Sequence, residues 1–448
     1  METGHLLSKA RNAAEFIRQA AIALIAAGTV LLAVMAVYQA ATNDSVVIEP
    51  VTVPSEFEGK GFGGAISIQR ILDEVSVIQS QSASRKGAVG IADKPAGDAV
   101  PALETPVGGI NFKNVANVLR QAMGRQVIRI TGEITARETK EGTPKTFELR
   151  LRRLPERKII VSVESDESPD QLFRKAAWAL VESFDPYIAA RAYYRRKDSP
   201  NAQRMINVCL TNDDSADDKW AWMLKAWMDF DAKRYEEVLS DADAALRIDP
   251  KFASAHFWQS LALREKKEFE RALKAAELTI GLSPGIPHGY FAKGRVLRDM
   301  GRHEDAIRSF DQAIKREPSH FAAYNQSGLS MMSLQRWTEA AERFEKAIHL
   351  ESGNAWFHHN LASALQGQGR HADALARINI ALSLDAESPA LHILKGNVEL
   401  SLEKYGEALA SAVILRKLVE QDKKKIPEWA AEDAARLLEF SESRRKRQ

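Results

Sequence analysis

Cysteine is almost absent from the chain: Cys209 stands alone in 448 residues, so no disulfide can form within it. That neither requires nor excludes an oxidising compartment. Between Val208 and Leu210, the thiol reads as a small buried apolar residue. Surplus charge is missing as well. The 62 lysines and arginines face 60 aspartates and glutamates. A general nucleic-acid binder needs a dominant basic field, so no nucleic-acid partner is expected. Catalytic signatures are also lacking. There is no His-Glu-x-x-His, no cysteine pair, no P-loop and no nucleophile elbow. Gly59 to Gly64 is glycine-rich, but its spacing fits neither the dinucleotide nor the triphosphate pattern, and it reads as a plain loop. The expectation is therefore a protein that is not an enzyme, with no catalytic residue, no metal ligand and no cofactor. The basic tail Arg444-Arg445-Lys446-Arg447 is short and suits a helix C-terminus, where the dipole favours cations.

One apolar run is long. No charged residue occurs from Gln19 to Asn43, and Ala20 to Tyr38 is almost wholly apolar. About 20 such residues cross a bilayer as a helix. The expectation is a transmembrane helix over 19–41. A cleaved signal peptide is the competing reading, although its apolar region would be about 7–15 residues. Lys9, Arg11 and Arg18 precede the run, and Asp44, Glu49, Glu56 and Glu58 follow it. Basic residues stay on the cytoplasmic side. That predicts a single-pass inner-membrane protein with residues 1–18 cytoplasmic and the bulk of the chain periplasmic.

Residues 42–165 read as a small α+β domain. Val46 to Val53 alternates weakly and reads as a strand; Ile68 to Ile78 has helical spacing. Residues 80–109 are rich in glycine and proline and lack aromatics, which predicts a flexible insert. Phe112 to Met123 reads as a helix. Strand-like runs follow at Ile128–Ile134, Phe147–Leu151 and Ile159–Val163, separated by turn signals. Arg129, Arg137, Arg150, Arg152, Arg153, Arg157 and Lys158 give these strands a basic outer face. Two readings stand: an anionic partner, or a solvated face whose charges discourage edge pairing. Residues 166–218 read as a helical connector or degenerate repeat, with helices over Ser168–Phe184 and Tyr187–Leu210.

Six 34-residue units then run without insertion from Lys219, Ala253, Pro287, Phe321, Ala355 and Pro389. A small residue recurs in the first half of each: Ala226, Ser260, Gly294, Gly328, Ala362 and Gly396. Val238, Ala272, Ala306, Ala340, Ala374 and Ala408 form a second column; Ala245, Thr279, Ala313, Ala347, Ala381 and Leu415 form a third. Small side chains there let helices approach closely. Tyr235, Phe269, His303, Trp337, His371 and Tyr405 precede each second helix, and Pro250, Pro284 and Pro318 close the first three units. A fixed period of this length predicts stacked helical hairpins, an α-solenoid with a concave face. The array occupies 219–422, and 426–448 reads as a capping helix with a basic tail. Trp429, Ala430, Leu437, Leu438 and Phe440 are the residues expected to cover the last unit.

These columns resemble the tetratricopeptide repeat family, and Gly301 to Pro318, GRHEDAIRSFDQAIKREP, is similar to its second helix nearly residue for residue. Lys225 and Asp229 depart from the family pattern where apolar residues are usual. Ser352 and Ala386 replace the closing proline in units four and five. The resemblance implies that the first helix of each pair lines the concave groove. Residues spaced i, i+4 and i+7 share one side of a helix. The candidate partner-binding residues are thus Met223, Trp227 and Phe230, then Phe257, Leu261 and Arg264, then Phe291, Arg295 and Arg298. Further along, the same positions hold Asn325, Leu329 and Met332, then His359, Ser363 and Gln366, then Ile393, Asn397 and Leu400. Aromatic and arginine residues are common interface anchors, and a protein or peptide with an acidic segment would suit this set. The alternative is that the arginines are solvated or paired with Glu265 or Asp299. The family's chaperone-tail clamp is not reproduced. His256, His358 and His392 share one repeat column, and His303 and His371 share another. Their spacing is that of packing and not of a metal site.

The expected protein is therefore mainly α: a transmembrane helix, a small α+β domain and a solenoid acting as a membrane-anchored, non-catalytic scaffold at the cell envelope. Two alternatives stay open. One is a ligand-sensing or enzymatic α+β domain with the solenoid as appendage. The other is a cytosol-facing protein like an import receptor.

Overall fold

The computed structural model describes residues 45–59, 61–82, 90–92, 128–137, 146–165, 168–211, 215–421 and 428–446. The chain divides into two compact units, Met1–Ala221 and Trp222–Gln448.

The first unit is built on a mixed five-stranded sheet. Its strands are β1 (Ser45–Ile48), β2 (Gly90–Ala92), β3 (Ile128–Arg137), β4 (Thr146–Leu154) and β5 (Lys158–Ser165), in the order β2-β1-β3-β4-β5. β1 pairs in parallel with both β2 and β3, and β3-β4-β5 is an antiparallel meander. β2 falls inside the stretch expected to be a flexible insert. Its three residues are held by β1; the remainder of that stretch from residue 83, and the helix expected at Phe112 to Met123, lie outside the described residues. Period-two alternation puts Ile130, Ile134, Leu149, Leu151 and Val161 on the buried face. Gly132 is obligatory there, because a Cβ would lie 2.5 Å from the Arg150 carbonyl oxygen. The pairing of β4 with β5 shifts register between Leu151 and Arg152.

Helices α1 (Ser55–Gly59), α2 (Gly64–Ser82), α3 (Pro169–Phe184), α4 (Pro186–Arg195) and α5 (Ser199–Thr211) complete this unit. α3 packs on α2, β4 and β5. The short α1 is not legible as a helix in the sequence. It places Phe57 4.8 Å from the Phe147 ring, edge on. Ser168 caps α3 by accepting from the Gln171 N–H, and Asp185 caps α4 by accepting from the Ile188 N–H. Each helix has proline in its first turn. The single helix expected over Tyr187–Leu210 is two. Lys197 turns the chain at φ 63°, and Asp198 accepts from the Asn201 N–H at 3.2 Å to start α5. Cys209, expected to be buried, is half-buried. Four residues of the basic stripe are paired: Arg129 meets Glu49, Arg150 meets Glu148, Arg152 meets Glu133 and Arg153 meets Glu156.

The second unit contains consecutive helical hairpins. Their helices are α6 (Ser215–Asp231), which begins in the first unit, with α7 (Tyr235–Ile248), α8 (Ala253–Glu265) with α9 (Phe269–Leu282), and α10 (His288–Asp299) with α11 (His303–Arg316). Then come α12 (Phe321–Ser333) with α13 (Trp337–Leu350), α14 (Ala355–Gly367) with α15 (His371–Leu384), and α16 (Pro389–Ser401) with α17 (Tyr405–Gln421). α18 (Glu428–Arg445) packs on α16 and α17. It buries Ala430, Ala434 and Leu437 and leaves Phe440, expected to be a cover, exposed.

All three small-residue columns are buried. Their purpose is visible at Gly294 and Gly328. A Cβ would stand 2.5 Å from the Phe310 ring at the first and 2.7 Å from the Phe344 ring at the second. Each first helix ends in one left-handed residue: Lys233, Lys267, Gly301, Gln335, Gly369 and Glu403, at φ 59–76°. The next residue's N–H then bonds the carbonyl five positions back, at 2.8–2.9 Å in all six copies. Successive first helices touch, α8 on α10, α10 on α12, α12 on α14 and α14 on α16. They therefore line the inner, tighter side of the curve.

The fold class and the location need correction. No helix among the described residues is long and apolar enough to cross a membrane. The 19-residue α2 carries Arg70, Asp73 and Glu74, and such charges are expensive in hydrocarbon. The helix expected at 19–41 lies outside the described residues. A transmembrane helix in the fold, and a single-pass inner-membrane location with a periplasmic bulk, are accordingly withdrawn.

Candidate functional site

The inner face of the array begins with aromatics, as expected, but they are spent largely on each other. Trp258, which the sequence reading did not single out, is their hub. Its ring lies 6.3 Å from Trp227, 5.6 Å from Phe230 and 5.5 Å from Phe257. Phe230 also meets Tyr235, and Phe257 meets His288. Met223 and Leu261 are buried. At this end of the face the aromatics are half-buried and packed between repeats. The signal was present in the sequence, since Trp258 is adjacent to Phe257 in α8.

The arginines converge. Arg264 on α8 is only 7% exposed; Arg295 and Arg298 on α10 are 23% and 24% exposed. Two carboxylates are shared among the three. Glu265 Oε1 is paired with Arg264 Nη2 and lies 3.8 Å from Arg295 Nη2. Asp299 Oδ1 accepts from Arg298 Nε at 3.1 Å and Nη2 at 2.8 Å, while its Oδ2 is 3.1 Å from Arg264 Nε. Arg298 Nη1 also donates to Gln326 Oε1 on α12. Both Glu265 and Asp299 therefore hold arginines from two helices, which is the internal pairing given as the alternative reading of this set. The pairing is internal, yet Arg295 and Arg298 keep an exposed side.

The charges do not balance. Three guanidiniums meet two carboxylates. Arg264 Nη1 and Arg295 Nε are buried without a hydrogen-bond partner, and the N–H of Arg264 Nε is not aimed at Asp299 despite its closeness. Burial, and then the Arg264 charge, press Arg295 down to about 10, and burial lowers Arg264 as well. Arg295 also lies 5.8 Å from the Phe291 ring, which itself packs 4.9 Å from His320.

Further along, the face turns polar. Asn360 donates to Asn325 Oδ1 at 2.8 Å, joining α14 to α12. Two aromatics that the sequence triplets missed stand open: Phe321 is 39% exposed and Trp356 is 58% exposed. Trp356 packs edge-on against His359 at 5.3 Å. Both sit in the first turns of their helices, ahead of the positions that the i, i+4, i+7 rule selects.

Two of the histidines bond backbone carbonyls at repeat junctions. His358 Nε2 is 3.3 Å from the Ser352 carbonyl oxygen, and His392 Nε2 is 2.9 Å from that of Ala386. Burial lowers the His358 pKa. In the first unit, a cleft of about 540 Å³ opens between β5 and α3, walled by Val163, Lys175, Trp178, Glu182 and Tyr193. Its polar groups are engaged. Tyr193 donates to Glu182 at 2.6 Å, Arg204 donates to Glu182 at 2.7 Å, and Lys175 donates to the Glu164 carbonyl at 2.8 Å. Burial and the Glu182 bond push the Tyr193 hydroxyl far up, away from any acid–base role near neutral pH.

Tetratricopeptide repeats match at residues 223–287, 291–355 and 331–398. The array is thus a tetratricopeptide repeat solenoid, a fold of protein–protein interaction. No curated protein matches the chain. Among solved structures, residues 41 to the end of MamA from Desulfovibrio magneticus are similar at 19% identity, covering 39% of this chain and 97% of that one, with a TM-score of 0.35. A thermophilic tetratricopeptide repeat protein of Thermus thermophilus is similar at 20% identity, with coverages of 41% and 99% and a TM-score of 0.36. The pilF protein of Pseudomonas aeruginosa is similar at 16% identity, with coverages of 49% and 96% and a TM-score of 0.42.

Proposed function

We propose that this protein is a non-catalytic scaffold that holds a segment of a partner protein in the groove of its solenoid, with an acidic part of that segment beside Arg295 and Arg298. The observation that carries this reading is the arginine set. It carries one more positive than negative charge, is partly desolvated, and keeps an open side on the inner face. Arginines in such settings are strong interface anchors, because a planar guanidinium meets a carboxylate in two parallel bonds. The exposed Phe321 and Trp356, in the first turns of α12 and α14, offer apolar surface further along the first helices.

The test is photo-crosslinking in cells, with a crosslinkable residue in place of Trp356 and with Arg295→Gln and Arg298→Gln added in turn. One dominant protein adduct, weakened by either arginine change, supports the reading. No adduct at Trp356 or at Phe321 defeats it. Thermal unfolding of each variant separates lost binding from lost fold.

A further inference from the structure

The deepest part of the arginine set is built for something that it does not hold. Arg264 and Arg295 come from adjacent first helices and reach for the same oxygen, Glu265 Oε1. Asp299 is already divided between Arg264 and Arg298. A guanidinium has five N–H donors and no acceptor, so two carboxylates cannot satisfy three guanidiniums held this closely. The shortfall is located: Arg264 Nε, Arg264 Nη1 and Arg295 Nε have no hydrogen-bond partner, and Arg264 is more than nine-tenths buried. A buried donor without an acceptor is a standing cost, and two buried like charges side by side add to it.

Neighbouring groups do not remove that cost. Phe291 offers Arg295 only its ring face. Gln326 is engaged with Arg298. The next carboxylates along the chain are paired elsewhere: Glu268 with Lys266 and Arg271, and Asp305 with Arg302 and Arg308.

We infer that Arg264 and Arg295, with Arg298 at the rim, form a receptor for one carboxylate group of a bound protein segment. The inference rests on the groove reading above and names the ligand chemistry. One carboxylate brings the local count to three positive and three negative charges. It supplies acceptors for donors orphaned on Arg264 and Arg295 and separates two guanidiniums that otherwise repel. Arg264 forms the floor, while Arg295 and Arg298 form the mouth. The surplus is one charge, so a single monoanionic group completes the set. That group comes from an aspartate or glutamate side chain or from a chain terminus.

The experiment uses the full chain and small probes, so it does not depend on finding the partner. The Nε–Hε resonances of Arg264 and Arg295 are followed by NMR during titration. N-acetyl-aspartate N-methylamide represents a side-chain carboxylate, N-acetyl-alanine a terminal one, and N-acetyl-asparagine N-methylamide is the neutral control. The expected result is a saturable shift of both resonances with at least one carboxylate and none with the amide. Whichever carboxylate saturates at the lower concentration assigns the source. Arg295→Gln should weaken the response about tenfold, as loss of a charge-assisted bidentate contact does. Arg271→Gln, a surface change, should leave it intact.

A shift that never saturates and touches every arginine alike is an ionic-strength effect and overturns the inference. Equal response to the asparagine probe overturns it too. A carboxylate response without any crosslinked protein would keep this site and sink the scaffold reading. A crosslinked protein indifferent to Arg295→Gln, with no carboxylate response, would do the reverse.

Discussion

The Nε2 atom of His392 lies 2.9 Å from the carbonyl oxygen of Ala386. The carbonyl can only accept, so the hydrogen is on Nε2. Ala386 occupies the position that closes the first three repeats as Pro250, Pro284 and Pro318. His358 makes the matching contact to Ser352, in the other repeat junction without proline. Where the covalent stop is absent, the next helix reaches back with an imidazole and holds the turn.

Replacing His392 by Phe keeps the ring and removes the donor. The expected cost is about 1 kcal/mol, the net value of one such hydrogen bond. A lower urea midpoint with an unchanged m-value would show it. No change in midpoint would mean that the ring's packing, not its bond, holds the turn.

The left-handed residues offer a gain. Gln335 sits at φ 59°, where Gly301 and Gly369 serve other repeats. An L-residue in this region carries a cost of about 1–2 kcal/mol that glycine avoids, while glycine gives some back as unfolded-state entropy. Gln335→Gly should therefore stabilise the chain, by roughly 0.5–1 kcal/mol. Gly301→Ala should destabilise it by a similar amount. Thermal unfolding of the two variants should shift in opposite directions.

Overpacking tests the small-residue column. A methyl group at position 294 would meet the Phe310 ring at 2.5 Å. Gly294→Ala is expected to cost about 1–3 kcal/mol, with the larger Gly294→Val beyond it. Phe310→Ala alone leaves a cavity and should cost about 3–5 kcal/mol. In the double variant Gly294→Ala with Phe310→Ala, the two costs should fall short of additivity, because the clash is gone. A double-mutant cycle in urea reads this directly.

Lys225 and Asp229, the departures from the usual repeat pattern, form a buried ionic group. Lys225 Nζ reaches Asp241 at 2.8 and 2.9 Å and Asp229 at 3.1 Å, and Arg234 also pairs with Asp229. Removing the cation in Lys225→Met strands Asp241, 3% exposed, and leaves Asp229, 5% exposed, with Arg234 alone. The expected loss is about 3–5 kcal/mol.

Protonation acts on the same group. Burial raises the Asp241 carboxyl to about 6, although Lys225 opposes the shift. A folded value above the unfolded one means that the folded chain binds the proton more tightly. Stability from Asp241 is then fully present below about pH 4, declines as pH rises to about 6, and is flat above that. Asp241→Asn should flatten the urea midpoint between pH 4 and 7. A wild-type midpoint that rises over this range would contradict the assignment. Asp229 has the opposite sign. Burial works against its charge, but bonds from Arg234 and Lys225 prevail and hold its pKa low. Its contribution is lost only as pH falls further.

Much of the α+β unit was legible in the sequence. Strict alternation at Ile128–Ile134, Phe147–Leu151 and Ile159–Val163 marked three strands, because a sheet with one covered face demands it. β2 was not legible, since three residues, Gly90 to Ala92, carry too little pattern to separate from a loop. The basic outer face was visible as composition, but its pairing was not. Arg152 finds Glu133 on the neighbouring strand, 19 positions away. The apolar run near the N-terminus led to a membrane reading that the described helices do not support.

By itself, the sequence determined that the second unit is a stack of helical hairpins. A 34-residue period with small residues in register sets where two helices approach, and that spacing is a local property of each repeat. Tertiary structure decided which inner-face side chains stay available. Trp227, Phe230 and Phe257, named as candidate groove residues, are half-buried and pack around Trp258. Arg264 sinks between repeats, while Trp356, unnoticed in the pattern, stands in solvent. Exposure there depends on residues about one repeat away, as Arg298 on Gln326 and Asn325 on Asn360 show. Those neighbours are brought together by the stacking angle of successive hairpins, which no single repeat encodes in its spacing.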